Sequence, residues 1–187
     1  MPTQPAMDAV EVLTRDHRMV EQLFRDYAAA ASDTQRRAVV DILVRELSKH
    51  AALEELMVYP LVKRAVAGAE SEVDHDLSEH MTMKTILAEL DGVPAGDERM
   101  TGLLDRLQQE VAGHVRDEEG SLFPRLRGAV DRQALVELGA ALEEGRKGAP
   151  TRPHPHAPNE PPALSIAAPL AAIYDRLRDR IAGRAHT

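Results

Sequence analysis

An eleven-residue pattern recurs 64 residues further along the chain. The first copy, residues 50–60, reads HAALEELMVYP, and the second, residues 114–124, reads HVRDEEGSLFP. Each copy has a histidine and, four residues later, a glutamate, so on a helix the two side chains lie on one face. Another histidine precedes each copy: His17 lies 33 residues before His50, and His80 lies 34 residues before His114. The sequence therefore predicts a duplicated helical hairpin in which each half provides two histidines and one glutamate.

The repeated histidines and glutamates are the candidate metal ligands. They are His17, His50, Glu54, His80, His114 and Glu118. A lone histidine on an apolar helix face is more often a core residue than a ligand, but four in register with two glutamates favour metal. Buried glutamates are rare without a partner charge, and two that face each other repel unless a metal ion or a proton intervenes.

Six ligands in two sets of three predict two metal ions with the glutamates bridging them, whereas a closed structural zinc site takes four ligands. Four-helix bundles hold di-iron or di-manganese pairs with such sets of inward-pointing side chains. The hypothesis is a binuclear non-haem iron site, with manganese or zinc as the less favoured metals.

The composition removes several classes of site and partner. The chain has no cysteine, which excludes disulfides, thiolate zinc sites and iron–sulfur clusters. The remaining ligand types, imidazole and carboxylate, suit iron, manganese or zinc. A net charge of −8 argues against nucleic acid as a partner. The apolar runs are short and the N-terminus lacks the features of a signal peptide, so we expect a cytoplasmic protein with no membrane partner.

Helical periodicity divides the chain into five main helices and a tail. Apolar residues at three- and four-residue spacings predict helices near residues 8–31, 33–66, 71–90, 97–126 and 131–144. Pro60 and Pro124 lie inside the second and fourth helices and are expected to kink them. The predicted fold is all-α, an up-down-up-down four-helix bundle with an extra fifth helix, over residues 8–146. Residues 147–187 are predicted to be a proline-rich segment followed by an amphipathic C-terminal helix.

Several polar residues near the candidate ligands have two interpretations. Four acidic residues either lie on a solvated face or accept a hydrogen bond from an imidazole N–H; they are Asp16, Glu55, Glu79 and Glu119. His75 lies about 140° round the helix from His80, which predicts a surface residue. His154 and His156 alternate with prolines, which is typical of a solvated linker.

Tyr59 is the polar position at which the two copies of the motif differ. The periodicity of an α-helix places Tyr59 off the face of Glu54, which predicts a core aromatic residue. The adjacent Pro60 can reorient this turn, however, and a phenolate is a competent iron ligand. The equivalent residue, Phe123, cannot coordinate a metal. Tyr59 is therefore both a candidate metal ligand and a candidate catalytic residue.

Together these motifs resemble the hemerythrin-like HHE cation-binding domain. The resemblance covers residues 8 to about 128, and the proline-rich tail is similar to that of actinobacterial members. It implies a bundle around an oxo- or hydroxo-bridged di-iron pair that binds oxygen, nitric oxide or peroxide. Oxygen-carrying members have a fifth histidine on the third helix. In this chain Asp76 and Lys84 hold the positions one turn before and one turn after His80.

This ligand set favours peroxide chemistry, because anionic ligands stabilise Fe(III) more than imidazole does. The first functional hypothesis is catalase-like disproportionation of H2O2, or detoxification of peroxide and nitric oxide. The alternative is a non-catalytic protein that binds or senses O2 or NO, or that stores iron. The expected partners are these small molecules, and the chain is expected to be a monomer or a weak homodimer.

Overall fold

The computed structural model describes residues 6–156, most of which lie in helices. The α-helices are α1 (Ala9–Ala29), α2 (Asp33–Leu53), α3 (Tyr59–Ala65), α4 (Glu70–Asp91), α5 (Arg99–Asp117), α6 (Phe123–Ala129) and α7 (Arg132–Gly145). Two π-helical turns, Glu54–Val58 and Glu118–Leu122, join α2 to α3 and α5 to α6. The long helices α1, α2, α4 and α5 pack in chain order as a four-helix bundle, and residues 6–156 contain no strand. The predicted all-α bundle is confirmed.

Local side-chain chemistry fixes where several helices begin. At the start of α1, Asp8 and Glu11 each accept a hydrogen bond of 2.8 Å from the backbone N–H of the other, which is a capping box. Ser32 and Asp131 cap α2 and α7 through side-chain oxygens that accept backbone N–H groups at 3.3 and 2.9 Å. Before α5 the chain reverses through Gly96, whose φ of 81° is a conformation that glycine adopts without strain.

A π-helical turn precedes each of the two prolines that the sequence predicted would kink their helices. In the first turn the backbone N–H of Tyr59 donates to the carbonyl of Glu54, five residues back, and the second turn repeats this bond at the equivalent positions. Residues five apart stack in a π-helix as residues four apart do in an α-helix. The turn therefore carries Tyr59 onto the face of Glu54, where α-helical periodicity does not place it.

The apolar core is divided into two clusters with a polar layer between them. One cluster gathers the start of α1 with α3, α6 and α7, and includes Leu13, Met57, Leu61, Leu122 and Leu138. The other fills the opposite end of the four long helices, and includes Leu43, Ile86, Leu90, Met100 and Leu107. The candidate ligands on the long helices fall between these clusters, as His17 does between Leu13 and Val20. The fold thus holds them in a buried layer across the bundle.

Helix α7 packs against α1 and covers that side of the bundle. Gly139 permits the close approach, because a Cβ there would overlap the carbonyl oxygen of Met7 and lie 2.9 Å from the carbonyl carbon of Asp8. From this position the residue that follows α7, Arg146, donates a hydrogen bond to Asp16 on α1. Helix α7, which corresponds to the predicted fifth helix, is thus attached to Asp16, the residue before the candidate ligand His17.

The described residues end within the proline-rich segment. Residues 149–156 form bends and turns without a helix. The predicted amphipathic C-terminal helix lies outside the described residues, and the division at residue 146 stays a prediction. Between residues 6 and 156, no helix has the length and the apolar character that crossing a membrane requires.

The contact at Gly139 predicts a stability difference between two glycine substitutions. Gly139→Ala should lower the free energy of unfolding by about 1–3 kcal/mol, because the new methyl group meets backbone that cannot rotate away. Gly102→Ala on α5 is the control: its Cβ meets nothing within 4 Å, so the higher helix propensity of alanine should raise stability by up to about 1 kcal/mol. Denaturant unfolding of both variants measures the difference. Equal stability would show that α7 does not pack on α1 as described.

Candidate metal centre

The structure brings all six predicted ligands together in the polar layer. They come from α1, α2, the first π turn, α4, α5 and the second π turn, as His17, His50, Glu54, His80, His114 and Glu118. All six are buried, and Glu54 and Glu118 have no exposed surface. The duplicated motif in the sequence therefore corresponds to one shared site.

Each glutamate lies between a histidine of the first half and a histidine of the second. The Nε2–Oε2 distances are His50–Glu54 3.1 Å, His80–Glu54 3.3 Å, His17–Glu118 3.3 Å and His114–Glu118 3.5 Å. The possible ligand atoms form two compact groups, each within 4.8 Å, and Glu54 belongs to both. The members are His17, His50, Glu54 and Glu118 in one group, and Glu54, His80 and His114 in the other.

The polar layer contains buried atoms that need a partner. Within residues 6–156, both carboxylate oxygens of Glu54, Oε2 of Glu118, Nε2 of His17 and both ring nitrogens of His50 make no hydrogen bond. Buried polar atoms without hydrogen bonds are destabilising and uncommon. Coordination to a cation satisfies such atoms, and imidazole with carboxylate is a donor set that suits iron, manganese or zinc. The residues present therefore fit metal cations.

A second carboxylate lies on the Nδ1 side of every imidazole. The Nδ1–oxygen distances are His17–Glu119 2.8 Å, His80–Glu55 3.0 Å, His114–Glu79 3.0 Å and His50–Asp16 3.6 Å. The first three are hydrogen bonds, and because a carboxylate only accepts, Nδ1 carries the proton and Nε2 faces the glutamates. The contact of 3.6 Å is electrostatic. The sequence left open whether these acidic residues lie on a solvated face or accept a hydrogen bond from an imidazole N–H. The structure supports the second interpretation for Glu55, Glu79 and Glu119.

Three of these four outer carboxylates also contact a basic side chain. The pairs are Asp16–Arg146, Glu119–Arg18 and Glu55–Lys84, the last at 2.7 Å. The sequence treated Lys84 only as a departure from oxygen carriers and gave no signal for Arg146, which comes from a distant helix. The fourth carboxylate, Glu79, lies 3.3 Å from Nε2 of His75, which is exposed as predicted.

The side chain of Tyr59 ends inside the polar layer. Tyr59 is 1% exposed, and its O–H donates to Oε1 of Glu118 at 3.0 Å and lies 3.2 Å from Nε2 of His80. Phe123, the equivalent residue, stacks on His17 with 5.8 Å between the ring centroids. Both aromatic rings therefore cover an imidazole, but only the tyrosine brings an oxygen to the site.

Burial and charge oppose each other in setting the pKa values of the metal-free layer. Burial lowers the pKa of His50, but its carboxylate neighbours, Glu54 first, outweigh burial and raise the pKa to about 10. The pKa of His114 is likewise raised to about 9, because Glu118 and its outer carboxylate outweigh burial. Burial raises the pKa of Glu54, but the adjacent imidazoles dominate and hold it well below its usual value. Protonated imidazoles thus balance the buried glutamates when no metal is bound.

Asp76 is a further buried carboxylate beside the layer, to which the sequence assigned no role. It lies one turn before His80, is 1% exposed, and its Oδ2 has no hydrogen-bond partner among the described residues. Burial and then the charge of Glu118 raise the pKa of Asp76 to about 7. Burial also raises the pKa of Tyr59 well above its ordinary value, followed by the charges of Glu118 and Glu54.

These raised histidine pKa values predict that metal binding releases protons. At pH 7 the metal-free protein holds protons on His50 and His114 that a cation must displace. Affinity for Fe2+ should therefore rise from pH 6 towards pH 9. The stability that these imidazolium groups give the metal-free fold is complete below the unfolded pKa of about 6.5 and is lost as pH rises through the folded values. Anaerobic titration calorimetry in buffers of different ionisation enthalpy counts the protons; no proton release would contradict the protonated layer.

Comparisons with known proteins agree with the fold. The profile of the hemerythrin HHE cation binding domain matches residues 8–126 and residues 78–183. An uncharacterized hemerythrin-like protein of Schizosaccharomyces pombe is 27% identical over 170 residues, which are 90% of this chain and 84% of the relative. A DNA nickase of Nostoc sp. is 25% identical over 121 residues, which are 65% of this chain but only 34% of the nickase.

A solved structure has the same fold. The crystal structure of a hemerythrin HHE cation binding domain-containing protein from Mycobacterium kansasii matches with a TM-score of 0.65 and 24% sequence identity. The match covers 76% of this chain and 89% of that chain. Because the family profile matches well over half of the sequence at residues 8–126, the chain belongs to the hemerythrin HHE cation-binding family.

Proposed function

We propose that this chain is a non-haem di-iron protein that disproportionates hydrogen peroxide. Two compact groups of possible ligand atoms could hold two ions, and Glu54 has a ligand atom in both groups. Mixed imidazole and carboxylate ligands suit iron. The proposal of iron over manganese or zinc rests on the added phenol oxygen of Tyr59.

The size of the neighbouring cavity supports a very small substrate. A cavity of about 20 Å³ borders the four histidines and has apolar walls that include Val20, Leu47, Met83, Leu87 and Val111. A single water molecule needs about 10–15 Å³ of such space. The cavity therefore suits molecules of two heavy atoms, such as hydrogen peroxide, dioxygen and nitric oxide. It is far too small for a nucleic acid strand. The resemblance to a nickase is therefore not a reason to propose DNA cleavage.

The position of Tyr59 is the observation that carries the proposal of peroxide chemistry. Its hydroxyl lies beside Glu118 and on the Nε2 side of His80, where a metal ion would be held. We propose that the phenol oxygen completes the ligand set of the ion bound by His80 and His114. If the phenol gave up its proton to a bound ion, it would supply an anionic oxygen ligand, which stabilises Fe(III) and would favour turnover of peroxide over reversible carriage of oxygen.

The reaction balances without an external reductant. Two molecules of H2O2 give two of water and one of O2: one O–O bond breaks with uptake of two electrons and two protons, and the second peroxide gives up the same number of each. A bound iron pair would supply the two-electron redox capacity. The glutamates and imidazoles would hold the ions, the outer carboxylates keep each Nε2 turned inward, and the apolar walls of the cavity would exclude bulk water.

A non-catalytic role in O2 or NO binding, sensing or iron storage is the second candidate, and one contact favours it. Arg146 at the end of α7 binds Asp16, whose carboxylate faces Nδ1 of His50. A ligand-dependent change at His50 would therefore reach α7 through two contacts. An oxygen electrode separates the candidates: evolution of O2 from added peroxide supports catalysis. A stable absorbance change of the reduced protein with O2 or NO, without O2 evolution from peroxide, supports binding.

Metal analysis tests the di-iron assignment. The purified protein should contain about two irons per chain, as bundles with this ligand set do. His50→Ala and Glu54→Ala should each reduce iron content to about one or less, because the first removes a ligand and the second removes the shared carboxylate. His154→Ala, an exposed histidine in the proline-rich segment, should retain the wild-type content. Full iron content in His50→Ala would exclude the proposed ligand set.

Tyr59→Phe tests the role of the phenol oxygen. The substitution makes the first motif match Phe123 in the second, so folding and iron content should be unchanged. Peroxide turnover should change by about tenfold, a difference of about 1.4 kcal/mol in activation free energy. A visible charge-transfer band of the ferric protein should be lost. Tyr27→Phe is the control, since it removes a hydroxyl that contacts Thr101 on the bundle surface. Identical turnover and absorbance in Tyr59→Phe and wild type would make Tyr59 a core aromatic residue only.

A further inference from the structure

A group of polar residues lies at the surface beside the second half of the metal centre. His75, Glu79 and Asp117 have possible ligand atoms within 4.8 Å of one another. The side chain of His75 is 62% exposed, Asp117 is exposed, and Glu79 is partly buried. Nε2 of His75 lies 3.3 Å from one oxygen of Glu79, while the other oxygen accepts from Nδ1 of His114 at 3.0 Å. Glu79 therefore faces solvent on one side and the metal centre on the other.

Asp76 extends this surface group inward. Its carboxylate has a ligand atom within 4.8 Å of those of Glu79 and His114. It is 1% exposed, and its Oδ2 has no hydrogen-bond partner within residues 6–156. A buried carboxylate oxygen without a partner is destabilising unless a cation or a proton reaches it. Asp76 thus provides a buried carboxyl group with an unsatisfied oxygen between the surface and the centre.

Three overlapping groups therefore connect the solvent with the metal layer. The surface group shares Glu79 with the inner group of Asp76, Glu79 and His114. The inner group shares His114 with the group of Glu54, His80 and His114 in the layer. A cation that moves between adjacent groups therefore stays next to one residue that the two groups share.

The first half of the bundle has no such series of polar residues. The internal repeat aligns His75 with Val12, Asp76 with Leu13 and Asp117 with Leu53, which are all buried apolar residues. The counterpart of Glu79 is Asp16, which is bound by Arg146 and covered by α7. The polar series thus belongs to one half only, and the duplicated ligand set does not require it.

We propose that His75, Asp117, Glu79 and Asp76 form a loading path along which a divalent cation, Fe2+ for the proposed centre, passes from solvent into the buried layer. This inference rests on the proposed iron centre. The step is ligand exchange without electron transfer: water ligands are replaced by carboxylate and imidazole, and the ion keeps its charge. The carboxylates of the path attract the cation, so loading is faster at low ionic strength.

Anaerobic loading of the metal-free full chain with Fe2+ tests the path. The double variant Asp76→Asn/Asp117→Asn removes two carboxyl groups with little change of shape. Its initial loading rate, followed with a coloured ferrous chelator that competes for the ion, should fall about tenfold, as effects of focused charge on association rates do. The final iron content should equal that of wild type. His75→Ala/Asp117→Asn changes exposed residues alone, so a similar fall in rate there cannot result from misfolding.

The control variant is Glu89→Gln/Asp105→Asn, which removes the same number of carboxyl groups from exposed positions on α4 and α5. It should load at the wild-type rate, and increasing salt should slow wild type more than the path variants. Equal loading rates in the path variants and in wild type would overturn the loading path and leave the iron centre intact. A reduced final content would also overturn it, since Asp76 would then be a ligand of the centre itself. A wild-type chain that takes up no iron would overturn both proposals.

Discussion

The burial of two carboxylates, Glu54 and Glu118, determines much of the surrounding structure. Removing an ionised group from water costs on the order of several kcal/mol per ion unless an opposite charge is close. Imidazolium groups provide this charge in the metal-free layer, and cations provide it when metal is bound. Imidazoles that point Nε2 inward need an acceptor for Nδ1, which four outer carboxylates supply. Those carboxylates need cations in turn, and Arg18, Lys84 and Arg146 satisfy three of them.

The spacing of residues in the sequence predicted the ligands that lie on, or directly after, regular α-helices. A histidine and a glutamate four residues apart, repeated in register, were enough to predict the bundle and the meeting of six ligands. The position of Tyr59 in the site could not be predicted from α-helical periodicity, because a π-helical turn places it there. The local signal of that turn is a proline six residues after the first glutamate in both motifs. Arg146 required tertiary structure, because it lies 130 residues from Asp16 and no local pattern connects them. Buried Asp76 was visible only as a substitution for histidine.

Duplication explains what the two halves share, and the differences between them indicate where chemistry takes place. Each half has an imidazole pair, a buried glutamate, a π turn and an aromatic ring that covers an imidazole. One ring is Tyr59 and the other is Phe123, so only one half brings a phenol oxygen into the layer. The other half contains Asp76, whose counterpart in the first half is Leu13. Helix α7 packs against α1, which belongs to the first half, and leaves α4 and α5 of the second half uncovered by α7.

The two halves also balance their outer carboxylates in different ways, and this difference follows from α7. Asp16 is held by Arg146, a guanidinium that keeps its charge at every accessible pH. Glu79 instead lies 3.3 Å from Nε2 of His75, an exposed imidazole. A permanent cation from a packed helix fixes His50 in place and closes that side of the centre. An exchangeable partner on the other side leaves His114 in contact with the solvent through a single carboxylate. The bundle therefore combines a half that α7 closes with a half whose outer carboxylate faces the solvent, which is the side on which we place the loading path.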